Sequence, residues 1–198
     1  MAVIKTDNFV GVNGTDLNTY DSNWQKNNSA GGAIIYIQSN GYSPTSATGG
    51  TEQGYRWNAT FANDQYAQCV WKSGANTSYA GVGVRHAAAA THSYYVFYCD
   101  PISQYFAKVV NGTYTDLQTN TNTTTNANDI LYIQAVGNVI TAKRNGTNAF
   151  TPTTDNSLSS GVAGVTAFLN GGITIASTFE GGNVGGGVVG RSMLMGVG

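Results

Sequence analysis

The 198-residue chain contains little charge, three prolines and two cysteines. Charged residues make up 10% of the sequence, against about 25% in a typical soluble domain. The formal net charge of −1 creates no extended electrostatic field, so we expect neither nucleic acid nor a membrane surface as a partner. Abundant glycine, asparagine, threonine and tyrosine between apolar runs are instead typical of a β-rich protein on a virion or an extracellular surface.

Long apolar runs are also absent. The first residues, MAVIKTDNFVGV, contain no apolar core of signal-peptide length, and no later segment approaches the length of a membrane span. We therefore expect no signal peptide. A virion or an extracellular surface would then be reached by cell lysis or through a dedicated export machine.

The two cysteines, Cys69 and Cys99, could form only one disulfide. The strand pattern predicts that a third strand, within residues 80–86, lies between the strands that carry them. Two strand spacings of about 4.8 Å each exceed the Cα separation that a disulfide allows. We therefore predict two buried, inert free thiols rather than a disulfide, a redox pair or a pair of metal ligands.

Short runs rich in aromatic and β-branched residues alternate with turn-forming residues along the chain, as expected for antiparallel strands. Asn111-Gly112 and Gly137-Asn138 are predicted two-residue hairpin turns, and no stretch shows a sustained helical period. About twelve strands without a βαβ pattern predict an all-β fold, an antiparallel two-sheet β-sandwich. Its centre is predicted to be a meander of neighbouring strands at 65–72, 80–86, 94–99 and 105–110.

A glycine-rich C-terminal segment indicates a boundary near residue 180. Residues 1–180 are predicted to form the sandwich, and residues 181–198 a tail that cannot bury enough apolar surface to fold alone. The tail is either a flexible extension or a docking peptide that becomes ordered against another subunit. In the second case the contact would be made by Arg191, Met193, Leu194 and Met195.

A series of short motifs supports a family resemblance over roughly residues 6–180. The motifs are DNF, NDQYAQ, GVGVR, YYVFY, KVVNGTYTDLQ, LYIQAVGNVITAKRNG and TDNSLSSGVAGV, in this order. Together they resemble the concanavalin A-like lectin/glucanase superfamily in its laminin G-like form. The resemblance implies a jelly roll with one concave and one convex sheet, as found in phage virion and bacterial extracellular proteins.

Glycosidases occur in this superfamily, so catalysis must be considered. Its glucanase members carry a Glu-x-Asp-x-Glu strand motif, and glycosidases need two carboxyl groups about 5 to 9.5 Å apart. This chain has two glutamates: Glu52 in a predicted Gly/Thr loop and Glu180 after the last predicted strand. Neither has a carboxylate two residues away. The lyase members use Arg, Gln, His and Tyr, but their motifs are absent here. We therefore expect no catalytic residues and no enzymatic activity.

Metal binding has little support in the sequence. His86 and His92 are predicted to be a loop-exposed pair, too few for a zinc site. Structural calcium occurs in similar jelly rolls, and its candidate ligands here are Asp7, near the first strand, and Glu180, near the last. Since the chain has no Asp-rich loop, we expect no cofactor, with calcium as the alternative.

Glycan binding is the remaining activity that the residues favour. The predicted meander places aromatic and polar side chains on one face, beside bare glycines of the next strand. Aromatic faces stack on sugar rings, and Arg and Gln form hydrogen bonds with hydroxyl groups. The candidate glycan-binding residues are Tyr66, Gln68, Arg85 and Tyr98. The alternative is a purely structural role, because tyrosine is common in strands.

Two function classes fit these features. The first is a non-enzymatic structural or adhesive module of a phage virion, either a capsid decoration or a tail-associated protein, with weak glycan binding on the concave sheet. It predicts self-association or contacts with other virion subunits. The alternative is a carbohydrate-binding module of an exported bacterial protein, which predicts a monomer that binds glycans. The sequence favours the first class because of the low charge, the free thiols, the absent signal and the glycine-rich tail.

Overall fold

The computed structural model describes residues 1–27, 34–44, 51–87 and 91–185. Within these ranges one four-residue helix accompanies the strands, and no helix has the length and apolarity needed to cross a membrane. In chain order the elements are β1 (Ala2–Asp7), α1 (Leu17–Tyr20), β2 (Trp24–Lys26), β3 (Ile35–Ile37), β4 (Tyr42–Pro44), β5 (Thr51–Trp57), β6 (Gln65–Ser73), β7 (Tyr79–His86), β8 (Tyr94–Cys99), β9 (Gln104–Val110), β10 (Thr113–Asn120), β11 (Ile130–Val136), β12 (Val139–Arg144), β13 (Thr147–Asn148), β14 (Thr153–Thr154), β15 (Val162–Leu169) and β16 (Ile175–Asn183).

The strands form two antiparallel sheets. Sheet A has the order β13-β12-β11-β6-β16-β4-β3, with β1 paired to β16 and β14 paired to β12. Sheet B has the order β10-β9-β8-β7-β15-β5-β2. The predicted all-β, two-sheet antiparallel sandwich is therefore confirmed.

One apolar core lies between the two sheets. Alternate residues of each strand enter it, because successive side chains of a strand point to opposite faces. On β6 these are Ala67, Cys69 and Trp71, and on β7 they include Val82 and Val84. Tyr66, Gln68 and Val70 of β6 and Gly81 and Gly83 of β7 alternate with these core residues and face outward.

The predicted central meander is partly wrong. Strands β7, β8, β9 and β10 are consecutive neighbours in sheet B, but β6 lies in sheet A between β11 and β16. The chain therefore crosses from one sheet to the other between β6 and β7. Residues of β6 that point away from the core consequently lie on the opposite side of the sandwich from those of β7 and β8.

Both predicted hairpin turns are confirmed. Asn111 and Gly112 have φ angles of 50° and 79° and join β9 to β10, as expected for a turn with two left-handed positions. Gly137, with a φ of 55°, begins the turn between β11 and β12.

The sandwich extends beyond the predicted boundary at residue 180. Strand β16 continues to Asn183, paired on one side with β6 and on the other with β1. A side chain at Gly182 would overlap the carbonyl oxygen of Ala2, so glycine here permits the close approach of β1 rather than opposing a strand. The predicted contact residues Arg191, Met193, Leu194 and Met195 lie outside the described residues, and the docking tail stays a prediction.

Cys69 and Cys99 are free thiols buried in the core. The geometric reason predicted for their separation is wrong, because they lie on β6 and β8, in different sheets. Both side chains enter the core from opposite layers. Burial raises the pKa of the Cys69 thiol to about 12, so this thiol is not ionised at neutral pH.

We expect the native protein to be unreactive towards a thiol reagent at neutral pH, because the reactive thiolate form is suppressed by burial. Unfolding in denaturant without reductant should release two titratable thiols per chain. An intact mass two hydrogens lower, with no thiol titrated after unfolding, would contradict the assignment of two free thiols. Rapid labelling of the native protein would instead contradict the burial.

Candidate functional site

The outer face of sheet B carries a second layer of side chains, which we call the sheet B layer. It lies on the side of the sheet opposite the core and is formed by buried residues of β8 and β9, with half-buried aromatic residues of β7, β9 and β15 packed against them. Its members are Tyr79, Tyr94, Val96, Tyr98, Tyr105, Ala107, Val109 and Phe168. An outer sheet face covered by tyrosine rings is the most distinctive surface of the described structure.

Glycines form the floor beneath this layer. They are Gly54 on β5, Gly164 on β15, and Gly81 and Gly83 on β7, all on the outward side of their strands. A side chain at Gly54 would come within 2.7 Å of the ring of Tyr94. The absence of a side chain at Gly54 therefore leaves room for the Tyr94 ring beside β5, and the absence of side chains at Gly83 and Gly164 leaves room for His86.

The hydroxyl groups of two tyrosines contact the Glu52 carboxyl on β5. Tyr98 OH donates to Oε2 at 3.1 Å, and Tyr94 OH lies 3.4 Å from Oε1. Glu52 is 8% exposed, and no ion pair in the described part of the chain involves it. Burial raises the pKa of Glu52 to about 8, although both tyrosine hydrogen bonds act to lower it. The carboxyl is therefore largely protonated at neutral pH.

A β-bulge brings His86 into the same layer. On β7, Gly83 pairs with Gly164 but His86 pairs with Val162, so β7 has one more residue than β15 between these pairs. Arg85 lies within this bulge and has a φ of 56°. Without the bulge, His86 would point into the core with Val82 and Val84; with it, the imidazole lies on the outer face.

The buried His86 ring is neutral and stacks on Tyr94, with ring centroids 4.5 Å apart. Burial lowers the pKa of His86 to about 3. Its Nδ1 lies 3.2 Å from Nδ2 of Asn27, and because that amide nitrogen can only donate, the His86 proton is on Nε2. His92 is also buried, its pKa is lowered by burial, and its Nε2 lies 3.1 Å from Tyr94 OH. The predicted loop-exposed histidine pair is therefore wrong.

Several buried polar atoms of this face have no hydrogen-bond partner among the described residues. They are Nε2 of His86, Oδ1 of Asn27, Oγ1 of Thr166 and Nε of Arg56. A side chain at Gly83 would lie within 2.5 Å of His86 Nε2 and 3.1 Å of Thr166 Cγ2, so two of these groups share one part of the glycine floor. Buried polar groups are normally satisfied by protein, water or ligand, which marks this face as a candidate binding site.

Comparison with known proteins shows which fold the two sheets form. No protein-family model and no curated protein matches the sequence. A carbohydrate-binding module, CBM66, from Bacillus subtilis has a TM-score of 0.62 at 16% identity, covering 82% of this chain and 93% of that one. The Bacillus licheniformis β-glucanase has a TM-score of 0.54 at 12% identity, with coverages of 93% and 99%. The VIP36 exoplasmic/lumenal domain has a TM-score of 0.53 at 10% identity, with coverages of 79% and 85%.

The chain has the concanavalin A-like jelly-roll fold. The superfamily resemblance found in the sequence is thereby confirmed at the level of the fold. At these identities the similar structures share the architecture, and the chemistry of this jelly roll has to be read from its own residues.

The jelly roll separates the predicted glycan-binding residues. Tyr66 and Gln68 lie on the outer face of sheet A, because β6 belongs to that sheet, whereas Tyr98 lies in the sheet B layer. Arg85 belongs to neither face. Its guanidinium group donates hydrogen bonds to the carbonyl oxygens of Asn63, Leu158 and Gly137, which fixes loops at one end of the sandwich. The single predicted platform is therefore wrong.

The predicted calcium ligands also point away from each other. Asp7 and Glu180 lie on the paired strands β1 and β16, but the register pairs Asp7 with Phe179 and Thr6 with Glu180. Asp7 consequently points inward, where it accepts a hydrogen bond from Nε1 of Trp24 at 2.9 Å, and Glu180 points outward. One residue of register places the two carboxylates on opposite faces, so they do not form a calcium site. The described residues contain no group of three or more His, Cys, Asp or Glu side chains placed to hold a metal ion.

Sequence reasoning missed Glu52 and His86. Glu52 was expected to lie in a Gly/Thr loop, yet Thr51–Trp57 form β5. A period of two that extends back from Tyr55 through Gln53, with Gly54 and Glu52 on the other face, is the signal that identifies the strand. The bulge that turns His86 outward leaves no comparable signal.

Replacing Glu52 with Gln should change how stability depends on pH. The folded state keeps the Glu52 proton up to about pH 8, whereas an unfolded glutamate releases it near 4.5. The stabilising contribution of this group is therefore complete below pH 4.5 and is lost as the pH rises to about 8. Between about pH 5 and pH 9 we expect Glu52→Gln to gain roughly 2 to 4 kcal/mol in unfolding free energy relative to wild type.

Urea denaturation over this pH range measures the difference. His86 contributes the opposite slope, because its lowered pKa costs stability as the pH falls below 6.5, but it does so in both proteins and cancels. Glu180→Gln, which makes the same substitution on the outer face of sheet A, is the control for the chemical change itself. A constant difference between Glu52→Gln and wild type at all pH values would contradict the raised pKa.

Proposed function

We propose that the chain is a non-catalytic glycan-binding module whose binding surface is the outer face of sheet B. The observation that carries this proposal is the group of aromatic side chains at the top of the sheet B layer. Tyr79, Tyr105 and Phe168 are half-buried, and Tyr114 of the neighbouring strand β10 is 37% exposed. Tyrosine and phenylalanine rings offer apolar faces to the C–H groups of sugars, and tyrosine adds a hydroxyl group.

These rings are held in place before any ligand binds. The Tyr79 ring stacks on Tyr98 with centroids 5.2 Å apart, and Tyr105 meets it edge-on at 4.8 Å. Phe168 contacts the same ring at 5.7 Å. Rigid aromatic side chains lose little conformational entropy on binding, so this arrangement favours recognition of a weakly interacting ligand such as a sugar.

The polar groups beneath the rings favour a neutral glycan. Glu52 is largely protonated and His86 is uncharged at neutral pH, because burial disfavours both charged forms. The Arg56 guanidinium donates to Oε1 of Gln25 at 2.5 Å, and the exposed Asp116 carboxylate accepts from Tyr114 OH at 2.6 Å. Hydroxyl groups, which both donate and accept, match such a surface better than a charged ligand does.

The similar structures support a carbohydrate ligand. They include a protein described as a carbohydrate-binding module, a β-glucanase and the VIP36 domain in its Ca2+/Man3GlcNAc-bound form. The proposal that the module is non-catalytic is supported by Glu52, whose two carboxyl oxygens both contact tyrosine hydroxyls and which is almost fully buried. A general acid has to reach the glycosidic oxygen of its substrate.

A carbohydrate-binding module therefore fits these observations at least as well as the virion module favoured by the sequence. None of the similar structures named above is described as a virion protein. Capsid or tail attachment, self-association and location on a virion stay predictions.

Tyr105→Ala tests the binding surface. Glycan microarray screening of the full chain identifies a ligand, and titration calorimetry measures its affinity. Loss of one stacking ring should weaken binding about tenfold, which corresponds to 1.4 kcal/mol. The control is Tyr36→Ala, which removes a half-buried tyrosine from β3 in sheet A and should leave affinity unchanged.

Absence of binding across the array, or equal loss in both variants, would count against the proposed surface. Incubation of wild type with the bound glycan should release no new reducing ends. Release that persists through purification and disappears in Glu52→Gln would overturn the non-catalytic assignment.

A further inference from the structure

A cavity lies on the outer face of sheet A, on the opposite side of the sandwich from the sheet B layer. Its volume is about 220 Å³, and it lies among β1, β6, β11 and β16. The polar side chains that line it are Thr6, Asn8, Gln68, Thr178 and Glu180. Gln68 was expected from the sequence to contact a glycan, and this cavity is where the structure places it.

A β-bulge in β16 creates the cavity. Ser177 lies opposite Val70 and Glu180 lies opposite Gln68, so β16 spans three residues while β6 spans two. Thr178, inside the bulge, has a φ of 51°, which is unfavourable for a β-branched residue. Bulges of this kind interrupt the ladder and redirect side chains, and here the sheet surface opens between β6 and β16.

The polar groups of the cavity are available to a ligand. Gln68, Asn8 and Thr178 have no side-chain hydrogen bond within the described part of the chain, whereas the Glu180 carboxylate is held by Tyr66 OH at 2.7 Å. Two amides supply donors and acceptors, and the oriented carboxylate supplies a strong acceptor. This combination matches adjacent hydroxyl groups of a sugar and disfavours an acidic ligand, which the carboxylate would repel.

The opposite wall of the cavity is apolar. It is formed by Val70 and by Ile130, which is 42% exposed. Next along this face, Tyr132 lies opposite Gln68 and stacks on Tyr66 with centroids 5.7 Å apart. An apolar wall and a half-buried ring beside unpaired amides provide contacts for the C–H face of a sugar ring.

We propose that this cavity is a second carbohydrate site, which binds one ring of an uncharged sugar. The Tyr132 ring beside it would stack on the next sugar ring of an oligosaccharide. Drug-sized ligand pockets have volumes of about 300 to 1,000 Å³, and the smaller size here matches a single ring. The proposal does not depend on binding at sheet B. If both sites bind, they lie on opposite faces of two sheets about 10 Å apart, so one module links two glycan chains and gains avidity on a multivalent surface.

Amide chemical-shift mapping tests the second site on the full chain. The probes are D-glucose, D-galactose, D-mannose and L-fucose, each added separately in millimolar excess. At least one sugar should cause saturable shifts at Gln68, Ile130 and Thr178. Gln68→Leu and Glu180→Gln should each weaken this binding at least about fivefold. Asn148→Leu removes an exposed amide from the same face, on the edge strand β13 outside the cavity, and should leave the binding unchanged.

The outcomes separate the two sites. Shifts confined to residues of the sheet B layer would overturn the second site and support the proposed function. Shifts confined to the cavity would support the second site and count against the assignment to sheet B. No shift at the cavity with any of the four sugars overturns this proposal. If thermal melting shows that Gln68→Leu is unfolded, Glu180→Gln, which keeps the shape of the side chain, decides the test.

Discussion

The bare glycine floor of sheet B is the constraint on which the rest of its outer face depends. A side chain at Gly164 would overlap the carbonyl oxygen of Tyr55, and one at Gly83 would come within 2.5 Å of the His86 imidazole. With no side chain at Gly83 and Gly164, the His86 imidazole lies against the backbone, and with none at Gly54 there is room for the Tyr94 ring. This close approach buries the carboxyl of Glu52 and removes the charge from both titratable groups.

A β-bulge with a left-handed residue occurs in each sheet and has a different effect in each. A bulge at Arg85 turns His86 out of the core and into the sheet B layer, and a bulge at Thr178 opens the cavity of sheet A. In both cases a non-glycine residue adopts a left-handed backbone conformation, which costs on the order of 1 kcal/mol or more. The strand pairs on either side of each bulge offset this cost. In each case a polar group lies on the outer face of an otherwise regular sheet.

Much of the fold could be predicted because its signals are local. The alternation of Cys69 and Trp71 with outward residues, and the turn at Asn111-Gly112, follow from neighbouring residues alone. The sheet to which β6 belongs could not be predicted, since a strand buries one face in either sheet and has the same period in both. That uncertainty is why Tyr66 and Tyr98 were expected to share a surface. The pairing register of β1 and β16 could not be predicted either, because composition does not reveal it. A shift of one residue places Asp7 and Glu180 on opposite faces.

Strands that are neighbours in space are distant in the sequence. β5 pairs with β15, β6 with β16, and β1 with β16. Much of both sheets can therefore form only after long loops have closed. Such topologies fold slowly, and during synthesis the chain emerges from its N-terminus. The meander of β7 to β10 can form from local pairings, but the glycine floor beside His86 is incomplete until Gly164 of β15 pairs with β7. We therefore expect the tyrosine-covered face to be completed late in folding, when β15 pairs with β5 and β7.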